Sequence, residues 1–111
     1  MAVTFRKHVG EPWFTYIREG KKKYEGRIFK NEWKSIKDGD IIIFYNGGNE
    51  VPVKVTTSLL FDNFTAAFQY LDEELLPGVN DTKEANKIYK EFFPLNDIEK
   101  YGVIAVGFIL L

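Results

Sequence analysis

A predicted β-hairpin in the middle of the chain constrains its fold more than any other feature of the sequence. Residues 41–45 are all β-branched or aromatic, and the turn signal Asn-Gly-Gly-Asn follows at residues 46–49. In the next segment, residues 50–60, Val51, Val53 and Val55 alternate with more polar positions, as in a strand with one buried face. The chain must therefore form an antiparallel sheet that covers an apolar core.

Three more strands are predicted around this hairpin. Residues 3–9 alternate in polarity, and residues 22–29 place Tyr24, Gly26 and Ile28 on one face. Residues 101–110 form an almost continuous apolar run, in which Gly102 and Gly107 indicate a bulge or a close approach of two backbones. The opposite face of the strand at residues 22–29 is entirely charged; it holds Lys23, Glu25 and Arg27.

Three short helices are predicted between the strands. The first follows residues 10–12 and ends at Gly20, and the second is capped by Asp62 or Asn63. The third begins after Asp81, which with Glu84 resembles a capping box. Its apolar stripe, which we expect to be core, consists of Ala85, Ile88, Tyr89, Phe92 and Phe93. A single further turn of helix is predicted around residues 32–36.

Five or six strands interleaved with three short helices indicate an α+β domain. The sheet should be curled and mainly antiparallel, or closed into a small barrel with helices at its rim. A length of 111 residues predicts a single domain, residues 1–111. No signal peptide and no window of about 20 apolar residues is visible, so we expect an intracellular protein without a membrane partner.

The absence of cysteine excludes disulfides, thiolate catalysis and iron–sulfur clusters. His8 is the only histidine, which disfavours a multi-histidine metal site and an ordinary Ser-His-Asp triad. We therefore predict no metal site and no cofactor. His8 itself is predicted to be a partly exposed structural residue.

The charges are unevenly distributed along the chain. Residues 1–37 carry ten basic and four acidic residues, a net charge of +6, whereas residues 38–111 carry five and twelve, a net charge of −7. The basic stretch at residues 18–37 can attract a polyanion if it lies on one side of the fold, and is otherwise a solvated face paired with acidic neighbours. The two unlike parts are also complementary, so a homo-oligomer is an alternative use of this asymmetry.

The residues from Gly20 to Arg27 fit the spacing G-x-K-x-x-E-x-R, with Lys22 and Glu25 at its inner positions. With this motif the chain resembles the ASCH family, the activating signal cointegrator homology domains, which have a PUA-like fold. The resemblance extends over roughly residues 10–110. It includes Trp13 and Ile17, Gly39, Asp40, Ile41, Ile42 and Phe44, residues 76–79, Tyr89, Phe92 and Phe93, and residues 101–103.

This resemblance implies a β-barrel-like sheet with helices beside a cleft that Lys22, Glu25 and Arg27 line. It also implies binding of RNA or of modified nucleosides. Because Lys22 and Glu25 are three positions apart, a regular strand would point them to opposite faces. Lys22 must therefore lie in the loop before the strand, or a bulge must turn it.

The residue types suit a nucleic-acid-binding module for RNA or another single strand. Lysine and arginine bind phosphates, and Trp13, Tyr16, Tyr24 or Trp33 can stack on unpaired bases if exposed, although a core role is favoured for these aromatics. Glu25 repels phosphate but accepts hydrogen bonds from base amino groups, so it favours recognition of a base edge. The structural alternative is that Glu25 forms an ion pair with Arg27. The predicted ligand-binding residues are Gly20, Lys21, Lys22, Lys23, Glu25 and Arg27, with Arg18, Lys30 and Lys34 as outer phosphate contacts.

A small hydrolase is the alternative function. Some family members act as amidohydrolases on acetylcytidine through the motif lysine, a threonine nucleophile and a distant glutamate, and others resemble ribonucleases. Lys22 matches the lysine, but Glu25 stands at the position of the threonine, and no residue of 72–79 matches the distant glutamate. If the protein is an enzyme, Lys22, with a pKa lowered by its basic neighbours, and Glu25 as general base are the predicted catalytic pair.

Overall fold

Five strands and four α-helices form the fold in this computed structural model, which describes all 111 residues. The strands are β1 (Thr4–His8), β2 (Tyr24–Ile28), β3 (Ile41–Asn46), β4 (Asn49–Phe61) and β5 (Val103–Leu110). The helices are α1 (Trp13–Arg18), α2 (Phe64–Leu71), α3 (Thr82–Phe92) and α4 (Leu95–Tyr101). Short 3₁₀ turns lie at Asn31–Lys34 and Asp72–Glu74. None of the helices has the length and apolar character needed to cross a membrane.

The strands form one curled sheet in the order β1-β3-β4-β5-β2. The pair β1–β3 is parallel and the other three pairs are antiparallel, so the predicted α+β class and the mainly antiparallel sheet are confirmed. The hairpin at residues 46–49 joins β3 to β4, with Gly47 at a φ of 58°. The sheet has five strands, the lower of the two numbers that the sequence predicts.

The last strand lies between two apolar clusters, which explains its continuous apolar sequence. Ile104 and Val106 contribute to a cluster between α1 and the β3–β4 hairpin. Val103 and Ala105, which point to the other face, pack in a second cluster with α2, α3 and α4. Because a strand alternates its side chains between faces, a strand with a core on each face has no polar face to show.

Gly107 lies where three strands approach closely. A Cβ atom there would be 2.7 Å from the Tyr24 ring and 2.8 Å from Thr57 Cγ2. The register between β4 and β5 shifts between Val55 and Thr57, next to the pairing of Thr57 with Gly107. The bulge indicated by the sequence is thus present opposite this glycine, on β4, but the atoms that crowd Gly107 belong to side chains. The predicted close approach of two backbones occurs at Gly102 instead, where a Cβ atom would be 3.1 Å from the Phe61 carbonyl oxygen.

Helices α2 and α3 begin at the expected capping residues. The Asn63 side chain accepts a hydrogen bond from the Ala66 amide, and the Asp81 side chain accepts one from the Glu84 amide. Asn63, rather than Asp62, is thus the cap of α2. Helix α4 is an addition to the three predicted helices, because its seven residues offer only Leu95 and Ile98 as apolar positions before Tyr101.

The two edge strands of the curled sheet meet at one point, through a side chain. Arg27 Nη2, on β2, donates a hydrogen bond of 2.8 Å to the His8 carbonyl oxygen at the end of β1. No backbone ladder joins β1 to β2. We call this junction the seam, and the candidate site lies beside it.

Candidate functional site

A cavity of about 250 Å³ opens beside the seam. Its polar wall contains Lys22, Glu25 and Arg27, together with Gly26 between the last two. The remaining lining comes from the end of β1, α1, the segment before α3, and α3 itself; it consists of His8, Val9, Gly10, Trp13, Leu76, Ile88, Tyr89, Phe92 and Phe93. The cavity is therefore an apolar cleft with one strongly charged wall.

The loop before β2 brings Lys22 to this wall. The amides of Lys21 and Lys22 both donate to the Tyr16 carbonyl oxygen, and the Lys23 amide donates to that of Glu74. These bonds fold the chain at the end of α1, so that the Lys22 side chain turns inward. Of the two placements open for Lys22, the loop before the strand is the observed one.

Three charged side chains form a line along the polar wall, and two of them, Lys22 and Glu25, are buried. Lys22 Nζ is 3.3 Å from Glu25 Oε1, and Arg27 Nη2 is 2.9 Å from Glu25 Oε2. Lys22 Nζ also donates to the Leu75 carbonyl oxygen. The side chains of Lys22 and Glu25 are only 1% and 8% exposed, so this is a buried ion pair rather than a surface one.

Burial and charge oppose each other in this cluster. Burial is the main cause that lowers the pKa of the Lys22 ammonium, and the Glu25 carboxylate opposes it. The charge of Arg27 lowers this pKa only slightly. The predicted direction of the shift is therefore observed, but its main cause is burial and not the basic neighbours. For Glu25, burial would raise the pKa, but the charges of Lys22 and Arg27 outweigh it and hold the pKa below its ordinary value.

Of the three residues predicted on the charged face of β2, Glu25 and Arg27 line the cavity, whereas Lys23 precedes the strand and its side chain is 58% exposed. Glu25 is 6% exposed, and the Arg27 guanidinium lies 5.0 Å from the centre of the buried Trp33 ring. Trp33 is thus a structural residue, as the sequence favours. Glu25 and Arg27 do form an ion pair, and the same two residues line the cavity. Glu25 and Arg27 therefore form a structural ion pair and line the cleft at the same time.

The apolar walls come largely from α3, where the sequence predicts core. Ala85 and Tyr89 are buried, but Phe92 is 59% exposed and lies at the cavity together with Ile88 and Phe93. Helix α3 packs mainly on α2 and not on the sheet, so nothing covers the end of its stripe. Sequence reasoning missed these lining residues, because an apolar stripe at helical spacing has the same pattern in a core and in a cleft.

The other basic residues of the predicted site do not line the cavity. Lys21 pairs with Glu19 at 3.5 Å, Lys23 with Glu74 at 3.6 Å, and Lys30 with Asp97 at 2.8 Å. Lys21 and Lys23 border, with Gly20, a separate depression next to Glu73 and Glu74. Arg18 and Lys34 form no ion pair; they lie 5.8 Å and 5.7 Å from the rings of Phe14 and Phe29. The structure thus pairs much of the basic stretch with acidic neighbours and brings only Lys22, Glu25 and Arg27 of the predicted set to the cavity.

The position of Glu25 predicts a specific acid sensitivity. Its folded-state pKa lies below the ordinary value of 4.5, so its stabilising contribution is complete above that pH and is lost as the pH falls through the folded pKa. We expect the difference in unfolding free energy between the wild type and Glu25→Gln to shrink on acidification. Urea unfolding of both proteins at neutral pH and well below pH 4.5 measures this. A difference that stays constant would contradict the assignment.

The architecture defines the class of protein. A curled five-stranded sheet with helices beside a cleft is the PUA-like fold. The structure superimposes on the crystal structure of hypothetical protein PH0355 with a TM-score of 0.91 and 33% sequence identity, over 98% of this chain and 100% of that one. It also matches the solution NMR structure of protein PF0455 from Pyrococcus furiosus, with a TM-score of 0.79 and 28% identity over 98% of each chain.

Within that class, the chain belongs to the ASCH domain family. The family model matches residues 8–110, which include every element from the end of β1 to β5. No protein among the curated ones matches the chain. Members of this family are often linked to RNA binding or to hydrolysis.

Proposed function

We propose that this protein binds RNA or another single-stranded nucleic acid and receives one unpaired base in the cavity beside the seam. The observation that carries the proposal is the combination of aromatic walls with the charged line of Lys22, Glu25 and Arg27. Aromatic side chains stack on any base, and a carboxylate recognises a base edge through its amino group.

The size of the cavity supports a single heterocycle as its occupant. Pockets for drug-sized ligands measure about 300–1,000 Å³, and this one, at about 250 Å³, is smaller. A duplex cannot present a base to such a cleft without extruding it, whereas a single strand presents unpaired bases directly. The proposal therefore favours single strands over duplexes.

The charge of the wall supports a base rather than a phosphate inside the cavity. Glu25 lies between two cations that each contact one of its oxygens, and each oxygen keeps a further lone pair for a donor. The depressed pKa of Glu25 keeps this group an acceptor at neutral pH. An anionic phosphate at the same place would face that carboxylate.

Phosphates of the strand would lie outside the cavity. Arg18 and Lys34 have no carboxylate partner and are available to phosphates, whereas Lys21 and Lys23 are already paired with Glu19 and Glu74. Lys30 is bound more closely to Asp97 and is the least available of the set.

The paired state of these lysines predicts a shallow salt dependence. With about two phosphates neutralised, the slope of log affinity against log salt would be about −1.4, because each single-strand phosphate contact contributes about −0.7. Fluorescence polarisation between about 50 and 200 mM salt measures the slope. A slope several times steeper would show that the whole basic stretch contacts the strand.

Phe92 offers the most direct test of the proposed function. Because its side chain is 59% exposed, Phe92→Ala should leave the fold intact, whereas loss of a stacking partner costs about 1–3 kcal/mol, or about 5- to 150-fold in affinity. The measurement is polarisation binding of labelled single-stranded RNA, double-stranded RNA and single-stranded DNA to the wild type and the variant. Tyr70→Ala is the matched control, since Tyr70 is 73% exposed on α2 and does not line the cavity. Equal affinities for the two variants, or no binding by the wild type, would refute the proposed function.

A hydrolase is the second candidate, and the lowered pKa of buried Lys22 is the observation that favours it. Two observations weigh against it. No serine, threonine or cysteine lines the cavity, and the depressed pKa of Glu25 makes that carboxylate a weak base. Intact RNA on a gel after incubation, and unchanged acetylcytidine, are therefore the expected results.

A further inference from the structure

Strand β3 is apolar on both faces, although an apolar core covers only one of them. Ile42 and Phe44 are buried in the cluster between α1 and the β3–β4 hairpin. Ile41, Ile43 and Tyr45 alternate with them and therefore point to the outer face of the sheet, where they are only half-buried. The second apolar cluster, which explains the continuous apolar sequence of β5, contains no residue of β3. The outer face of β3 thus carries apolar side chains without a partner.

The neighbouring strands extend this apolar surface. Pro52 on β4 pairs with Ile43 and is exposed. Ile109 on β5, which pairs with Lys54 two positions further along β4, is 55% exposed. Helices α2, α3 and α4 cover the outer face only at the other end of β5. We call Ile41, Ile43, Pro52 and Ile109 the outer apolar face. None of these residues lines the cavity, and an exposed apolar patch that spans three strands is typical of an interaction surface.

Two opposite charges flank Pro52 on the same strand. Glu50, Pro52 and Lys54 occupy alternate positions of β4, so their side chains all point to the outer face. Glu50 contacts Arg6, yet its side chain remains 49% exposed. Lys54 is exposed and forms no ion pair. This arrangement is self-complementary, because a two-fold axis through Pro52 brings the negative end of one copy onto the positive end of another.

We propose that the outer apolar face is the interface of a homodimer, in which β4 of one copy lies antiparallel across β4 of its partner. Two sheets packed face to face are about 10 Å apart, a gap that a lysine and a glutamate reaching from opposite sheets can bridge. Lys54 then pairs with the partner's Glu50, and the two-fold symmetry forms this pair twice. The interface uses the local charges of β4, not the unequal charges of the two parts of the chain.

Exchange of the two charges tests the two-fold pairing by sedimentation velocity. We expect a concentration-dependent dimer for the wild type. Glu50→Lys and Lys54→Glu each place like charges opposite each other twice, so each should weaken dimerisation by about 10- to 100-fold at low salt. An equimolar mixture of the two variants should regain about the wild-type affinity, because the same axis then brings opposite charges together. Lys87→Glu is the matched control; it makes the same charge change at an exposed position of α3 and should have no effect.

Ile109→Ser tests the apolar part of the interface. Because Ile109 is exposed in the single copy, the variant should keep the circular dichroism spectrum of the wild type and dimerise about 10-fold more weakly or worse. A wild type that stays monomeric up to about 1 mM, or a mixture of the charge variants that stays monomeric, would overturn the inference.

Two other occupants of the face are checked with the same variant. If the wild type is a monomer and Ile109→Ser abolishes binding of RNA or of phosphatidylcholine–phosphatidylserine vesicles, the face belongs to that ligand and the dimer is refuted. Dimerisation is independent of the proposed function, since Phe92 lines the cavity and the outer apolar face does not. Phe92→Ala should therefore dimerise as the wild type does.

Discussion

Replacing Glu25 with glutamine is expected to lower the free energy of unfolding by about 3–5 kcal/mol, the largest stability effect of a single charge in this chain. The reason is the state in which it leaves Lys22. That ammonium is 1% exposed, and Glu25 is its only anionic neighbour. Without the carboxylate, the buried ammonium keeps only neutral acceptors, which are the Leu75 carbonyl oxygen and the amide oxygen that replaces Glu25 Oε1.

The opposite substitution should cost less. In Lys22→Met, Glu25 keeps its 2.9 Å contact with Arg27, whose side chain is 23% exposed and reaches water. Methionine also fills an apolar site without a charge. The double variant Lys22→Met/Glu25→Gln removes both members of the buried pair, and we expect it to be more stable than Glu25→Gln alone.

Urea unfolding of the four proteins forms a double-mutant cycle for this pair. An additive cycle, in which the double variant loses the sum of the two single losses, would show that Lys22 and Glu25 do not stabilise each other. Under the proposed function, RNA binding by the double variant then reports what Lys22 and Glu25 contribute to recognition, apart from their contribution to folding.

Gly107→Ala is expected to lower the free energy of unfolding by about 1–3 kcal/mol, because its new methyl group would overlap with two neighbours. The contacts are 2.7 Å to the Tyr24 ring and 2.8 Å to Thr57 Cγ2, and the short Thr57 side chain can only move with the backbone of β4. The expected result is a lower urea midpoint with an unchanged slope.

Gly48→Ala is the control for this prediction. Gly48 lies in the β3–β4 hairpin, has no atom within 4 Å of its Cβ position and does not need a positive φ. Its substitution should change the free energy by less than about 0.5 kcal/mol. Similar losses in the two variants would mean that the strand interior at Gly107 tolerates a side chain, contrary to the observed packing.

The sheet could be predicted from the sequence because its signals are local. The β-branched run at residues 41–45, the glycine turn and the alternating valines specify a hairpin within twenty residues. Gly107 could be predicted to lie at a crowded position, because a glycine inside an apolar strand indicates that there is little room for a side chain. Helix α4 escaped prediction because seven residues with few apolar positions do not establish a helical period.

Only the charged residues of the site could be predicted, because residues that are close in sequence form a recognisable spacing and residues from a distant helix do not. Lys22, Glu25 and Arg27 are close in sequence, so their spacing alone indicated a cluster. Ile88 and Phe92 line the same cavity from α3, and no local pattern distinguishes them from their buried neighbour Ala85. Burial of Glu25 was unforeseen too, because a charged strand face next to an apolar one normally meets water.

Arg27 has two structural roles at the seam, and these limit which substitutions of the cavity wall the fold can tolerate. Arg27 joins the edge strands through the His8 carbonyl oxygen and also neutralises Glu25 at the cavity wall. A substitution of Arg27 that alters this wall would therefore also remove the hydrogen bond between the two edge strands of the sheet. A change of the cavity that leaves the sheet intact is therefore most accessible through α3, where Ile88 and Phe92 line the cavity without joining the strands.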